Sequence, residues 1–282
     1  MPNTIALAKN YINNLDEVYR LASVTSDLTS DPTMSKAGAN ANEIVYPQIS
    51  VSGLGDYDRN SGYTTGAVDL KWKTATFNYD RGTRISVDVM DNEEPRNLAF
   101  GMAGATLMRE KAAPEADAFA FATLAALDGI SKATGTIADA SQFLDALLTA
   151  WSEMDEDEVP QEQRILYATA TLDTTKSREI LGKFAVKKAV PQARFYTAIE
   201  MLDGKSPGEE LGHYKKATSA ADINFMIIHK PAVIKFDKHI ASNIIPAETN
   251  PDADADIIKY RKYGLVEAYA NKRAGIYLNS KA

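Results

Sequence analysis

The chain contains no cysteine. That excludes disulfides, thiolate zinc sites, iron–sulfur clusters and a cysteine nucleophile, and it fits a reducing compartment. Histidine is nearly absent too. His213, His229 and His239 are the only three, and their spacing matches no metal motif such as H-E-x-x-H. His229 ends the run INFMIIH and reads as a strand-end residue. No hydrophobic run is long enough to span a bilayer, since the longest, Ala116 to Leu127, is short and contains Asp117. The first twenty residues mix polar and charged groups and carry no signal-peptide core. Positive charge is in the minority: 31 Lys and Arg face 38 Asp and Glu, a net charge of −7. This excludes a surface built mainly to grip phosphates, although a local basic patch fits within a net acidic chain. The expectation is a soluble cytoplasmic product with no membrane partner.

Local catalytic signatures are missing as well. Gly204-Lys205-Ser206 looks like the end of a phosphate loop, but the pattern needs glycine where Ile199 stands. Asp252, Asp254 and Asp256 resemble the opening of a calcium loop. The glycine and glutamate that such a loop needs are replaced by Ile257 and Tyr263. Glu110, Glu115 and Asp117 lie in a helical stretch, yet no Glu-x-x-His pair supports a di-iron site. They read as ion-pairing groups for Arg109, Lys111 or a neighbouring subunit. No catalytic residue, metal ligand or cofactor site is assigned.

What is present is the balance of a globular protein: 282 residues, 45% apolar and 24% charged. Ile5, Ala8, Ile12, Leu15 and Tyr19 repeat at helical steps. A small, polar, turn-rich stretch follows and reads as an arm. From Tyr46 to Tyr79 the texture changes. GLGDYDRNSGYTTG is a long turn, and VDLKWKTATFNY alternates with the two-residue period of a strand. Together they predict an extended β-hairpin, which is marginal alone and must lean on the chain or on a neighbour. By parity Trp72 and Phe77 lie on opposite faces, so one packs inward. Leu98, Met102, Ala105, Met108, Ala112, Phe119, Ala122 and Ala126 form a helical stripe over Pro95 to Leu127, with a kink or split expected at Pro114. Ile137 to Met154 predicts a second helix capped by Asp139 or Ser141. RILYATATL, INFMIIHK, AVIKFDKHI, DIIKYRKYGLVEAYA and AGIYLN read as strands, and LDTTKSREILGKF as a short helix. The fold class is α+β.

The order of these pieces resembles a tailed-bacteriophage major capsid protein of the Hong Kong 97 type. TFNYDRGTRISVDVMDNEEP is similar to the stretch that closes the family's extended loop (E-loop) and enters its spine helix. REKAAPEADAFAFATLA resembles the Pro-Glu-x-Asp segment of that helix, at Pro114, Glu115 and Asp117. INFMIIHKPAVIKFDKHIASNII and DADIIKYRKYGLVEAYANKRAGIYLN resemble the later and closing strands. The match runs from about Asp56 to Leu278.

The resemblance implies an N-terminal arm over residues 1–47, an extended-loop hairpin over 48–80 and a peripheral domain with the spine helix over 81–172. It implies an axial domain over 173–234 and return strands over 235–282. It implies a structural head protein, not an enzyme. Pentamers and hexamers of one chain would close an icosahedral shell around double-stranded DNA without reading its sequence. Portal and, in some members, scaffold or decoration proteins would be partners, with assembly in the host cytoplasm and residence in the virion. A separate scaffold, an already mature sequence or no scaffold all fit the short arm, and no cross-linking Lys–Asn pair is assigned. Tyr57, Asp58, Arg59 and Tyr63 at the hairpin tip are expected at a subunit interface, as are Trp72, Arg109, Glu115 and Asp117. Two alternatives remain: an encapsulin-type nanocompartment shell, and an α+β enzyme with a carboxylate site.

Overall fold

A computed structural model describes residues 18–19, 22–30, 36–37, 42–90, 98–169, 181–184 and 186–282. The helix read over Ile5 to Tyr19 and the short helix within LDTTKSREILGKF lie mostly outside these residues.

A five-stranded sheet forms the centre. Its strands are β5 (Ser131–Thr134), β6 (Arg164–Thr169), β7 (Val186–Val190), β10 (Ile223–His229) and β13 (Ile276–Ser280), in the order β5-β13-β10-β6-β7. Successive residues of its inner strands serve two different cores. Ile165, Tyr167, Met226, Ile228, Ile276 and Leu278 meet helix α2 (Ala113–Ala126) on one face. Leu166, Phe225, Ile227 and Tyr277 meet helix α3 (Ala140–Glu156) on the other. With both faces covered, the strands read as continuous apolar runs. The α3 cap is Asp139, whose carboxylate accepts from the Ser141 and Gln142 amides.

The predicted long helix is present from Leu98 as α1 (Leu98–Thr106), a π-helical turn (Leu107–Ala112) and then α2. Pro114 neither breaks nor splits it. Proline has no N–H, and its ring crowds the carbonyl four residues back. The wider π turn absorbs this, with the Ala113 amide donating to the Met108 carbonyl. The predicted apolar stripe needs correction. Met102 and Ala126 are exposed, whereas nearly every residue from Ala113 to Ala125 is buried. This helix is enclosed on most sides, so it shows no single wet face.

A second sheet has the order β11-β12-β4, from β11 (Val233–Ile245), β12 (Ala255–Ala268) and the edge strand β4 (Tyr79–Asp88). A small pair, β8 (Ile199–Met201) and β9 (Tyr214–Lys216), lies in sequence between β7 and β10 of the five-stranded sheet. The predicted hairpin is a ribbon of β2 (Glu43–Val51) and β3 (Val68–Thr76), with the two-residue strand β1 (Lys36–Ala37) against β2. Its root packs on the second sheet through Ile44, Tyr46, Ala75 and Phe77, against Ile234 and Leu265. Phe77 stacks on Tyr263 at 4.8 Å between ring centres.

Parity resolves as expected: Phe77 is 9% exposed and Trp72 is 47% exposed. Phe77→Ala is therefore expected to cost about 3–5 kcal/mol of subunit stability in urea unfolding. Trp72→Ala should change it by less than about 1 kcal/mol. Equal losses would show that the ribbon's exposed half matters to the subunit's own stability as much as its root does.

Candidate interaction surface

Residues facing each other across an antiparallel pair share one side of the ribbon. On one side the pairs are Val45–Thr74, Pro47–Trp72, Ile49–Leu70 and Val51–Val68. On the other they are Ile44–Ala75, Tyr46–Lys73, Gln48–Lys71 and Ser50–Asp69. The second side is apolar only where the root is buried, and it turns polar where it leaves the body. The first side does the reverse, carrying Glu43–Thr76 at the root and turning apolar from Pro47–Trp72 outward. Ile49, Val51, Val68, Leu70 and Trp72 are all exposed, Val68 at 72%. Beyond them Leu54, Tyr57 and Tyr63 are exposed as well. Exposed apolar side chains gathered on one face are where protein contacts commonly form.

The tip is an ordered turn. Asp58 and Gly62 exchange backbone hydrogen bonds of 3.2 and 2.7 Å, and the Asp58 carboxylate accepts from the Asn60 amide. Gly62 has φ +80°, which glycine adopts without strain. Tyr57 and Tyr63 lie 4.8 Å apart and form one aromatic projection, with Arg59 exposed beside it. The tip residues singled out in the sequence thus come together, with Trp72 on the apolar face behind them.

The other expected interface residues are placed differently. Arg109 is exposed on the π turn and pairs with Glu110 at 3.4 Å. Glu115 and Asp117 are 7% and 0% exposed, and their partners are within the chain. A buried carboxylate must be paired or fully hydrogen-bonded, so neither charge is left over for a neighbouring subunit. Asp117 accepts from the Ser23 and Thr25 hydroxyls (2.8 and 2.7 Å), from the amides of Val24 and Thr25, and from Arg194 at 3.2 Å. This fixes a 3-10 turn, Val24–Leu28, against α2. Lys235 of β11 completes the clasp by donating to the Thr25 carbonyl and hydroxyl at 2.8 and 2.7 Å.

Glu115 accepts from Arg81 Nε at 2.7 Å and from the Tyr79 hydroxyl at 3.3 Å. Burial raises its pKa, but His213 and Arg81 outweigh that and hold it below the usual range. Arg81 also donates to the carbonyls of Leu202 and His213 (2.7 and 3.2 Å), which ties down the loop between β8 and β9. The sequence reading missed Arg81 and Arg194. They lie 34 and 77 residues from their carboxylates, and no local pattern marks them. Among the described residues no cluster of His, Asp and Glu could hold a metal ion, and no helix is long and apolar enough to cross a membrane.

No protein-family model and no curated protein sequence matches the chain. Solved structures do. A structure from Mycobacterium phage Che8 is 14% identical, with TM-score 0.59 over 91% of this chain and 90% of that one. The capsid of Cyanophage P-SCSP1u is 12% identical, with TM-score 0.60 over 93% and 88%. A virus-like particle from Pyrococcus furiosus is 8% identical, with TM-score 0.57 over 98% and 100%. The chain has the fold of tailed-phage capsid proteins of the Hong Kong 97 type.

The clasp carries a pH signature. Burial pushes the Lys235 ammonium down to about 8, and Lys262 adds repulsion. Between that value and the ordinary 10.5, the folded subunit binds fewer protons here than the unfolded chain. Stability contributed by this group therefore rises with pH across the window. Lys235→Met is expected to flatten the rise between about pH 8 and pH 10 by on the order of 2 kcal/mol, read from urea midpoints. Parallel slopes for the two proteins would count against a lowered pKa for Lys235 in the folded subunit.

Proposed function

We propose that this chain is the major head protein of a tailed phage, assembling as pentamers and hexamers into an icosahedral shell around double-stranded DNA. The observation that carries the reading is the exposed apolar side of the β2–β3 ribbon, on a chain that follows a phage capsid fold over 93% of its length. An apolar face exposed among the described residues is suited to cover by a second copy. Head-to-tail contacts between identical subunits close into rings, and rings of five and six build a closed shell. In this reading the ribbon is the extended loop lying over a neighbour, and Tyr57, Arg59, Tyr63 and Trp72 are its anchors. The helix of α1, the π turn and α2 is the spine of a peripheral domain with the β11-β12-β4 sheet. The axial domain is the segment over 173–234, which contributes β7 and β10 to the five-stranded sheet. The protein acts in the virion after assembly in the host cytoplasm, with a portal and, where used, scaffold or decoration proteins as partners.

The net charge of −7 suits this role. A container confines its genome by closure and needs no tight, uniform grip on phosphates. The fold neighbours are shell proteins and argue against an enzyme. A second reading is a shell that encloses protein cargo, favoured by the end-to-end match to the Pyrococcus furiosus virus-like particle.

Removing residues Gly55 to Gly66 tests the reading, because this cuts the tip without touching the root. The subunit is expected to stay folded by circular dichroism and to lose closed particles in electron micrographs. Normal particles from the deletion would remove the ribbon from the assembly mechanism. DNA recovered from nuclease-treated particles made with the neighbouring genes would separate a phage head from a cargo shell.

A further inference from the structure

One face of the β11-β12-β4 sheet packs on the π turn and α2, through Tyr260, Val266 and Ala268. The opposite face carries the ribbon root at Leu265 and then opens to water. Lys259 and Arg261 of β12 alternate with buried neighbours and are exposed there. Edge strand β4 adds Arg84, directly across from Lys259 and also exposed. Like charges opposed in this way repel, with their Cβ atoms about 5 Å apart. On its other side Lys259 faces neutral Asn243. Neither Arg84 nor Lys259 makes an ion pair among the described residues. The nearby Asp80 is spent on Arg261, in a two-point contact of 2.7 and 2.8 Å. Asp88 lies about 13 Å further along β4 from Arg84 and accepts from the Met90 amide.

The opposite imbalance lies at the C-terminal end of α3. Glu153, Glu156 and Asp157 are exposed there and make no ion pair among the described residues. Asp155 is the one carboxylate of this stretch with a cation, the buried Arg164. Asp157 has only a long contact of 3.5 Å from the Ser131 hydroxyl. Glu153 and Asp157 stand four residues apart, and Glu153 and Glu156 three apart, so the three crowd one side of the helix end and repel. No basic residue occupies the last turn, and the negative end of the helix dipole adds to the repulsion. Each subunit therefore carries two like-charge clusters of opposite sign, and no ion pair joins them within the chain among the described residues.

We infer that the open face of the β11-β12-β4 sheet is a contact for a second copy of this chain, with Arg84 and Lys259 receiving the α3 end through Glu153, Glu156 and Asp157. The spacings agree: cross-strand neighbours and helix neighbours one turn apart both stand about 5 Å from each other. Arg84 suits two-point binding of one carboxylate, and Lys259 acts as a point charge on the next. The repulsion within each cluster is relieved in the contact. A polynucleotide is a poorer match, since proteins that hold one neutralise several phosphates and this pair supplies two charges on a chain of net −7. A patch that meets a different patch is a head-to-tail contact, the kind that repeats around a ring. The inference rests on the shell reading for what the contact builds, but the binding itself is measurable between copies without particles.

The test is sedimentation velocity of the full chain at low salt, with circular dichroism as the check on folding. Two charge reversals are compared, Arg84→Glu/Lys259→Glu and Glu153→Lys/Asp157→Lys. Each alone should weaken self-association at least about tenfold. An equal mixture of the two should return to within about threefold of wild type, because every contact between unlike copies then joins opposite charges. High salt should shrink all of these differences. If a reversal does not fold, Arg84→Gln/Lys259→Gln removes the charges without reversing them and should weaken association about threefold. The inference is overturned if the mixture binds no better than either variant alone, or if wild type and mixture both stay monomeric. It is also overturned if the sheet reversal abolishes binding of a labelled DNA duplex and leaves self-association unchanged. Closed particles built from either reversal alone would overturn it and leave the shell reading standing. Recovery in the mixture without closed particles would uphold the contact and count against that reading.

Discussion

Two carboxylates, two positions apart on one enclosed helix, organise this subunit. Successive helical residues turn by about 100°, so Glu115 and Asp117 leave α2 on opposite sides. Each is buried and each must be satisfied. Asp117 draws in the N-terminal 3-10 turn, Arg194 and, through Thr25, Lys235 of β11. Glu115 draws in β4 through Arg81 and, through the same guanidinium, the loop before β9. The helix therefore acts as a rivet between segments far apart in sequence. Its surroundings are held by charge-assisted hydrogen bonds with defined geometry, where apolar packing alone would let them slide.

With the body fixed in this way, the ribbon can be built for something outside it. Its root uses apolar residues on one side to grip the β11–β12 pair, with Phe77 between the ribbon and Tyr263. Past the root the apolar residues change sides. The same two strands therefore carry an inward anchor and an outward contact face, separated by a few residues.

Much of this was legible in the sequence because period and burial agree. The ribbon showed as two-residue alternation around a glycine-rich turn. α3 showed as a capped amphipathic helix, and β10 and β13 as apolar runs. The reading failed where those signals separate. β4 carries Asp80, Arg81 and Arg84 because it is an edge strand with one open face, so its pattern looks like a loop. α2 was read as a one-sided stripe, but an enclosed helix rich in alanine has no side to read. At the interaction surface, the tip residues were visible as aromatics and Arg in a long turn. Glu115 and Asp117 were visible too, but their roles were not, because the partners that neutralise them come from remote segments.

Pro47 has a consequence for how copies of this chain can meet. It sits mid-strand in β2, opposite Trp72, and among the described residues only the two-residue β1 pairs with the other border of β2. A proline there removes a backbone donor from an otherwise open strand border, and Lys71 and Lys73 place charge along β3. Backbone-to-backbone growth, the route to open-ended fibres, is thereby discouraged on a ribbon whose apolar side would otherwise invite it. In the proposed shell, copies would then meet through side chains and not through strand borders.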